Sequence, residues 1–340
     1  MILLGIHDHC SPKLASEVSV ATVSMSSFEE SAKTLADRGI ELDFDTIRRI
    51  TIRFAERTKA AQKDQSYDFG ESVAGRRVVI STDGGRIRIR KNKRGPKTKK
   101  GRSHYSTEWR EPKLLIIYVV NEKGGIERQF CPFIDGTMKG PDAVFGLLMF
   151  YLSKIELSKA DQILFVADGA RWIWNRVPKM FKALGVHLNQ FYELVDFYHA
   201  VEHLGKVAVA RKNWKASERK RWVKKHRRLL KAGQIERVID AIKKLCRGRS
   251  SKEFRREKKY FIRNRHRMHY HLIKKMQLPI GSGAMESAIR RVVNLRLKGA
   301  AIYWHTETAE AMLMLRSYYK AGRWNILRSL ALTPTLNETI

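Results

Sequence analysis

Apolar and polar positions along the chain change period several times, and each change marks an element. Residues 1–25 carry no strong period. From Ser26 apolar residues recur at helical spacing. Ser27 or Ser26 offers a side-chain acceptor at a helix start, Glu29 and Glu30 stand in the first turn, and Gly39 stops the helix. A short link leads to a second helix over 45–62. Helix, short turn, helix is the shape of a helix-turn-helix DNA reader, and Arg49, Arg53 and Arg57 are spaced four apart on one face of the second helix. An ordinary helical hairpin with a solvated basic face carries the same pattern. Residues 63–75 are polar and read as a linker.

At Arg77 the pattern switches to that of strands. Residues 77–82 and 86–90 are β-branched runs on either side of Asp83-Gly84-Gly85, which predicts a hairpin. Residues 91–107 form a basic loop containing glycine and proline, suited to lying along a phosphate backbone. Strands follow over 113–121 and 127–135, then a buried helix over 142–157. A strand over 162–167 ends at Asp168. A helix over 172–184 and a strand over 190–195 come next. From 196 to about 275 the pattern is helical and strongly basic, as an inserted block would be. The Pro279–Gly283 break resets the chain, and helices follow over 284–297 and from 306 to about 320.

The order predicts an α/β fold, a mixed sheet flanked by helices with an all-helical insertion. It divides into an N-terminal helical region (1–72), a first core part (73–196), the basic helical insertion (197–280) and a second core part with C-terminal helices (281–340).

Charge narrows the partners. Among 340 residues, 67 are Lys or Arg and 34 are Asp or Glu, a net charge of +33. Such an excess points to polyanions, DNA, RNA or an anionic membrane surface, and a ribosome-associated protein or a non-specific chromatin binder carries the same charge. Cys10, Cys131 and Cys246 are far apart with no Cys-x-x-Cys spacing, which argues against a disulfide framework and a cysteine-rich zinc finger and fits a reducing cytoplasm. No apolar run is long enough for a membrane span, and the apolar start at 1–6 is too short for a signal-peptide core.

Against this basic background three carboxylates stand out. Asp83 and Asp168 each follow an apolar strand and precede glycine. Glu286 lies in the first turn of the helix after the Gly-Ser-Gly break. Strand-end aspartates sit on rigid elements with open surroundings, and a helix laid across them can add the glutamate. Three carboxylates repel one another, and divalent cations remove that cost. Each alone has a plain reading: Asp-Gly is a common turn, and an acidic residue suits a helix N-terminus.

A second constellation is His199-Ala200-Val201-Glu202-His203, an H-x-x-E-H spacing that sets two histidines one turn apart, as a zinc site would. A third ligand would have to come from Glu236, Glu253 or Glu257. Packing beside the carboxylate site, or contact with DNA, is the competing reading for the pair.

The segments STDGGRIRIR at 81–90, FIDGT at 133–137, VADGARWIW at 166–174, DFYHAVEHL at 196–204, GSGAMESAIRR at 281–291 and WHTETAEAMLMLRS at 304–317 together resemble the Kra-type insertion-sequence transposases of bacteria. These are DDE transposases with an RNase H-like catalytic core. The resemblance spans about residues 76–320. It implies that Asp83, Asp168 and Glu286 hold two Mg²⁺ ions, with Mn²⁺ as a substitute. It also implies metal-dependent cleavage of double-stranded DNA at transposon ends, strand transfer into target DNA, a homodimer or larger assembly, and a place in the bacterial cytoplasm with the nucleoid. Basic and aromatic residues in or beside the motifs outline an expected DNA path: Arg86, Lys139, Arg171, Trp172, Arg290, Arg291, Arg296 and Lys298. Of Trp172 and Trp174, one is expected in the core and the other against an unpaired base. Two alternatives stand beside this reading, another RNase H-like nuclease of resolvase type and a catalytically inactive, transposase-derived DNA-binding protein.

Overall fold

The computed structural model describes residues 10–63, 68–99, 101–245 and 251–332. The apolar start at 1–6, Cys246, Lys100 in the basic loop, residues 64–67 of the linker and the last eight residues lie outside these.

The centre is a five-stranded mixed sheet in the order β5-β4-β1-β6-β7, formed by β1 (Arg77–Gly84), β4 (Lys113–Val120), β5 (Phe133–Thr137), β6 (Gln162–Ala167) and β7 (Phe191–Val195). β1 runs antiparallel to β4 and parallel to β6; β4 and β5 are antiparallel, β6 and β7 parallel. Every residue of β4 is buried, and so is the middle of β1. A sheet covered by helices on both faces requires this, and it explains the near-continuous apolar runs. The expected α/β class with a mixed sheet flanked by helices is the class observed.

The hairpin expected across Asp83-Gly84-Gly85 is not formed. β2 (Ile87–Asn92) leaves the sheet and pairs with β3 (Tyr105–Arg110) in a separate two-stranded ribbon. β1 is pinned instead along its whole length by β4, from Arg77 opposite Val120 to Gly84 opposite Lys113. The pairing shortens the expected basic loop to 93–104. The strand expected over 127–135 is reduced to β5 plus a single bridge between Val120 and Ile126.

Three helices open the chain: α1 (Pro12–Ser24), α2 (Phe28–Ala36) and α3 (Phe44–Lys63). α2 is capped as expected, with the Ser27 hydroxyl accepting from the Glu30 amide at 2.9 Å. α1 carries no clear helical period, since serine, threonine and valine are indifferent helix formers. Tertiary burial of Ala15, Val18, Ala21 and Val23 decides it, after a start set by the Ser11 cap and Pro12. α3 buries one face and leaves basic residues on another. It packs against α1, α13 (Thr306–Ala321) and α14 (Trp324–Leu332), burying Ile47, Thr51, Phe54 and Thr58. Arg57 donates to the Ala331 carbonyl at 3.2 Å, while Arg48, Arg49 and Arg53 stay exposed.

α4 (Pro141–Lys154) lies on β4 and β5. The helix expected over 172–184 is two pieces, α5 (Arg171–Trp174) and α6 (Val177–Ala183), because Pro178 cannot continue the first ladder. The inserted block is helical as expected: α7 (Phe197–Ala210), α8 (Ala216–Lys231), α9 (Ile235–Leu245), α10 (Lys252–Asn264) and α11 (Tyr270–Lys275). α12 (Gly283–Ile289) then packs on β1 and β4 and passes into a π-helical turn at Arg290–Asn294. Among the described residues, no helix is long and apolar enough to cross a membrane.

Candidate active site

Three neighbouring parallel strands end on the same side of the sheet, and each ends in aspartate. Asp83 is the next-to-last residue of β1, Asp168 follows β6, and Asp196 follows β7. Parallel pairing of β1 with β6 and of β6 with β7 places the three side by side along one edge.

Asp83 is half-buried, and its Oδ1 accepts from the Gly84 amide at 2.7 Å. Burial pushes its carboxyl up to about 6, and the nearby charge of Asp168 adds to the shift. The His199 imidazole acts in the opposite direction. Asp168 is half-buried, with Oδ1 accepting from the Ala170 amide at 2.9 Å. Its own carbonyl accepts from the Trp174 indole at 2.6 Å, which fixes the turn into α5.

Asp196 is fully buried. Oδ1 caps α7 through the amides of Tyr198 and His199, at 2.6 and 2.9 Å. Oδ2 accepts from both the amide and the hydroxyl of Ser282, in the Gly-Ser-Gly segment that precedes α12. Asp196 is not among the expected site residues, although Val195-Asp196 repeats the apolar-strand-then-aspartate signal of Ala167-Asp168.

Glu286 is exposed in the first turn of α12, the helix packed on the strand that carries Asp83. Among the described residues, no three of His, Cys, Asp or Glu are drawn to a common point. Asp83 and Asp168 are close enough to feel each other's charge, and Glu286 is exposed on the adjoining helix. The donor set of carboxylate oxygens matches a hard divalent cation. Asp83, raised by burial and by a like charge, is a group whose ionised form a cation would favour.

The helical block docks directly on this edge. A Cβ at Gly169 would come 2.2 Å from the Tyr260 ring of α10. Arg263 donates to the Gly169 carbonyl at 2.8 Å. Arg267 pairs with Glu193 of β7 and lies 4.6 Å from the centre of the Trp174 ring. His199 and His203, which share the H-x-x-E-H spacing, face different partners. His199 Nδ1 is 3.7 Å from Asp196 Oδ1, whereas His203 bonds the buried Glu257 and stacks on Tyr260.

The structure divides the expected DNA path. Arg86, Lys139, Arg171, Arg290 and Lys298 are exposed. Arg291 is half-buried and donates to the Lys320 carbonyl at 3.1 Å. Arg296 is 5% exposed, lies over Phe28 and Trp304, and has burial pushing its guanidinium down to about 10. A cation sealed under two rings has no surface to offer a phosphate. Trp172 is half-buried, perpendicular to Phe145 with ring centres 6.3 Å apart, and has the Lys113 ammonium 4.3 Å from its ring centre. Trp174 is in the core.

Asp135 shares the local Asp-Gly pattern of Asp83 and Asp168 but lies elsewhere. It sits on β5, two strands from β1, completely buried, and accepts from Tyr151 at 2.6 Å and from Gln62 at 3.3 Å. Comparison with protein-family models, with curated proteins and with solved structures finds no match to this chain.

Proposed function

We propose that the chain is a DNA-cutting and DNA-joining enzyme of the insertion-sequence transposase type, built on an RNase H-like core. The observation that carries the reading is the juxtaposition of Asp83 and Asp168 at the ends of adjacent parallel strands, with the Glu286 helix packed on the first of them. The sheet supports the core assignment, with three successive antiparallel strands followed by two that run parallel to the first. The net charge of +33 supports a nucleic-acid substrate.

Asp83, Asp168 and Glu286 would hold Mg²⁺ or Mn²⁺, which when bound supplies a Lewis acid at the scissile phosphate. The chain's own contribution is position. Asp83 is fixed by the Gly84 amide and Asp168 by the Ala170 amide, and Asp196 anchors the segment that delivers Glu286. Arg171 and Arg290, exposed beside these groups, offer guanidinium forks to flanking phosphates. Holding the attacking oxygen, phosphate and leaving oxygen in line accounts for most of what such an enzyme must do.

The test is cleavage and joining of labelled DNA carrying the gene's native flanks, with and without Mg²⁺, for wild type and Asp168→Ala. Metal-dependent products that vanish in the variant support a catalytic site, and joined products separate a transposase from a resolvase-type nuclease. Wild type that binds the DNA but never cuts it under Mg²⁺ or Mn²⁺ overturns the catalytic reading.

A further inference from the structure

The β2–β3 ribbon leaves the sheet just after Asp83 and returns just before β4, so it is rooted at the candidate site. Its two faces differ. Ile87 and Ile89 are buried on the inner face. The outer face sets Arg88 opposite Trp109 and Arg90 opposite Thr107. The free edge of β2 is extended by the segment around Trp304. The Trp304 amide donates to the Arg88 carbonyl at 3.0 Å, and the Arg90 amide donates to the Trp304 carbonyl at 2.8 Å. Trp304 is buried, which fixes this edge to the core and brings Tyr303 alongside Arg88.

Arginines and rings interleave here. The Arg88 guanidinium lies 5.4 Å from the Trp109 ring centre and 4.8 Å from that of Tyr303, and Arg90 lies 4.6 Å from Tyr105. Arg88 is held in place by donating to the Gly299 carbonyl at 2.6 Å. The rings are nevertheless open to solvent, with Trp109 49%, Tyr105 43% and Tyr303 36% exposed. A ribbon that only followed a phosphate backbone would need the arginines and not the rings. Exposed aromatic faces backed by guanidinium groups suit stacking on nucleobases, each of which has a π-face. The basic loop 93–104 at the ribbon's tip complements the charge of a polynucleotide. Arg88 is five residues beyond Asp83, which keeps it within about 18 Å along the chain. That is about five base steps from the site.

We propose that the outer face of this ribbon, through Trp109 and Tyr303, stacks unpaired bases of DNA beside the strand being cut. The proposal rests on the DNA-processing reading above.

The experiment is equilibrium binding of the full chain to a fluorescent blunt duplex and to the same duplex carrying a single-stranded tail, at fixed salt. Wild type is expected to prefer the tailed probe by about ten-fold, the scale of base–aromatic stacking. Trp109→Ala and Tyr303→Ala should remove most of that preference and leave blunt-duplex binding unchanged, and Trp109→Phe should restore it. Equal binding of both probes by wild type overturns the proposal while the DNA reading stands. So does a Trp109→Ala variant that keeps the preference or weakens both probes alike. Wild type that binds neither probe overturns the DNA reading together with the proposal.

Discussion

Asp196 and Ser282 are joined by two hydrogen bonds to a single carboxylate oxygen, the one from the Ser282 hydroxyl at 2.6 Å. The other oxygen caps α7. One buried group therefore ties the end of β7, the start of the helical block and the segment leading to Glu286. Removing it in Asp196→Ala strands four donors and should cost about 2–4 kcal/mol in urea unfolding. Asp196→Asn keeps the volume and one acceptor oxygen. It should fold and bind DNA but cleave about a hundred-fold more slowly, because Glu286 loses its placement. Cleavage by Asp196→Asn at the wild-type rate would sink the positioning role.

Glu286 presents the opposite case, exposed and without a structural burden. Glu286→Gln should change stability by less than about 0.5 kcal/mol. Cleavage should fall by about a thousand-fold or more, the scale of losing one transition-state-stabilising group. Paired melts and cleavage assays check both parts, and an active variant removes Glu286 from the site.

Gly169 lies against Tyr260, and a methyl there would overlap the ring. Gly169→Ala should destabilise by about 1–3 kcal/mol. Tyr260→Ala removes a buried ring and should cost about 3–5 kcal/mol on its own. In the double variant the new methyl enters the vacated space, so the combined loss should be smaller than the sum. Additive losses in a double-mutant cycle would show that the block does not dock through this contact.

Asp135 supplies the pH dependence. Burial raises its carboxyl to about 6, above the ordinary 3.8, despite hydrogen bonds from Tyr151 and the Gly136 amide. The folded protein thus holds the proton more tightly than the unfolded chain. The stability this contributes is full below about pH 4 and is lost as pH rises through about 6. A shift of this size is worth on the order of 2–3 kcal/mol. The stability of wild type relative to Asp135→Asn should therefore fall between pH 4 and pH 6, read from urea midpoints in parallel. Curves that run parallel across that window would mean Asp135 does not titrate there.

What the sequence determined by itself was local. β1, β4, β6 and β7, the helices α2, α3, α4 and α13, and the helical block were legible because side-chain period and capping chemistry act within a few residues. α1 was not, because its burial comes from α3 and α13, distant in sequence. The candidate carboxylates were legible only as a local pattern. Asp83, Asp135 and Asp168 all precede glycine at or near a strand end, yet tertiary pairing sets Asp83 and Asp168 on adjacent parallel strands and seals Asp135 among tyrosines. The same distinction separates the arginines. Arg296 reads like Arg290 in the chain, but the first is buried under Phe28 and Trp304 and the second faces solvent. Strand pairing and burial are relations between residues far apart in sequence. Only the folded sheet, which sent β2 out into the ribbon, decided which groups meet and which surface they share.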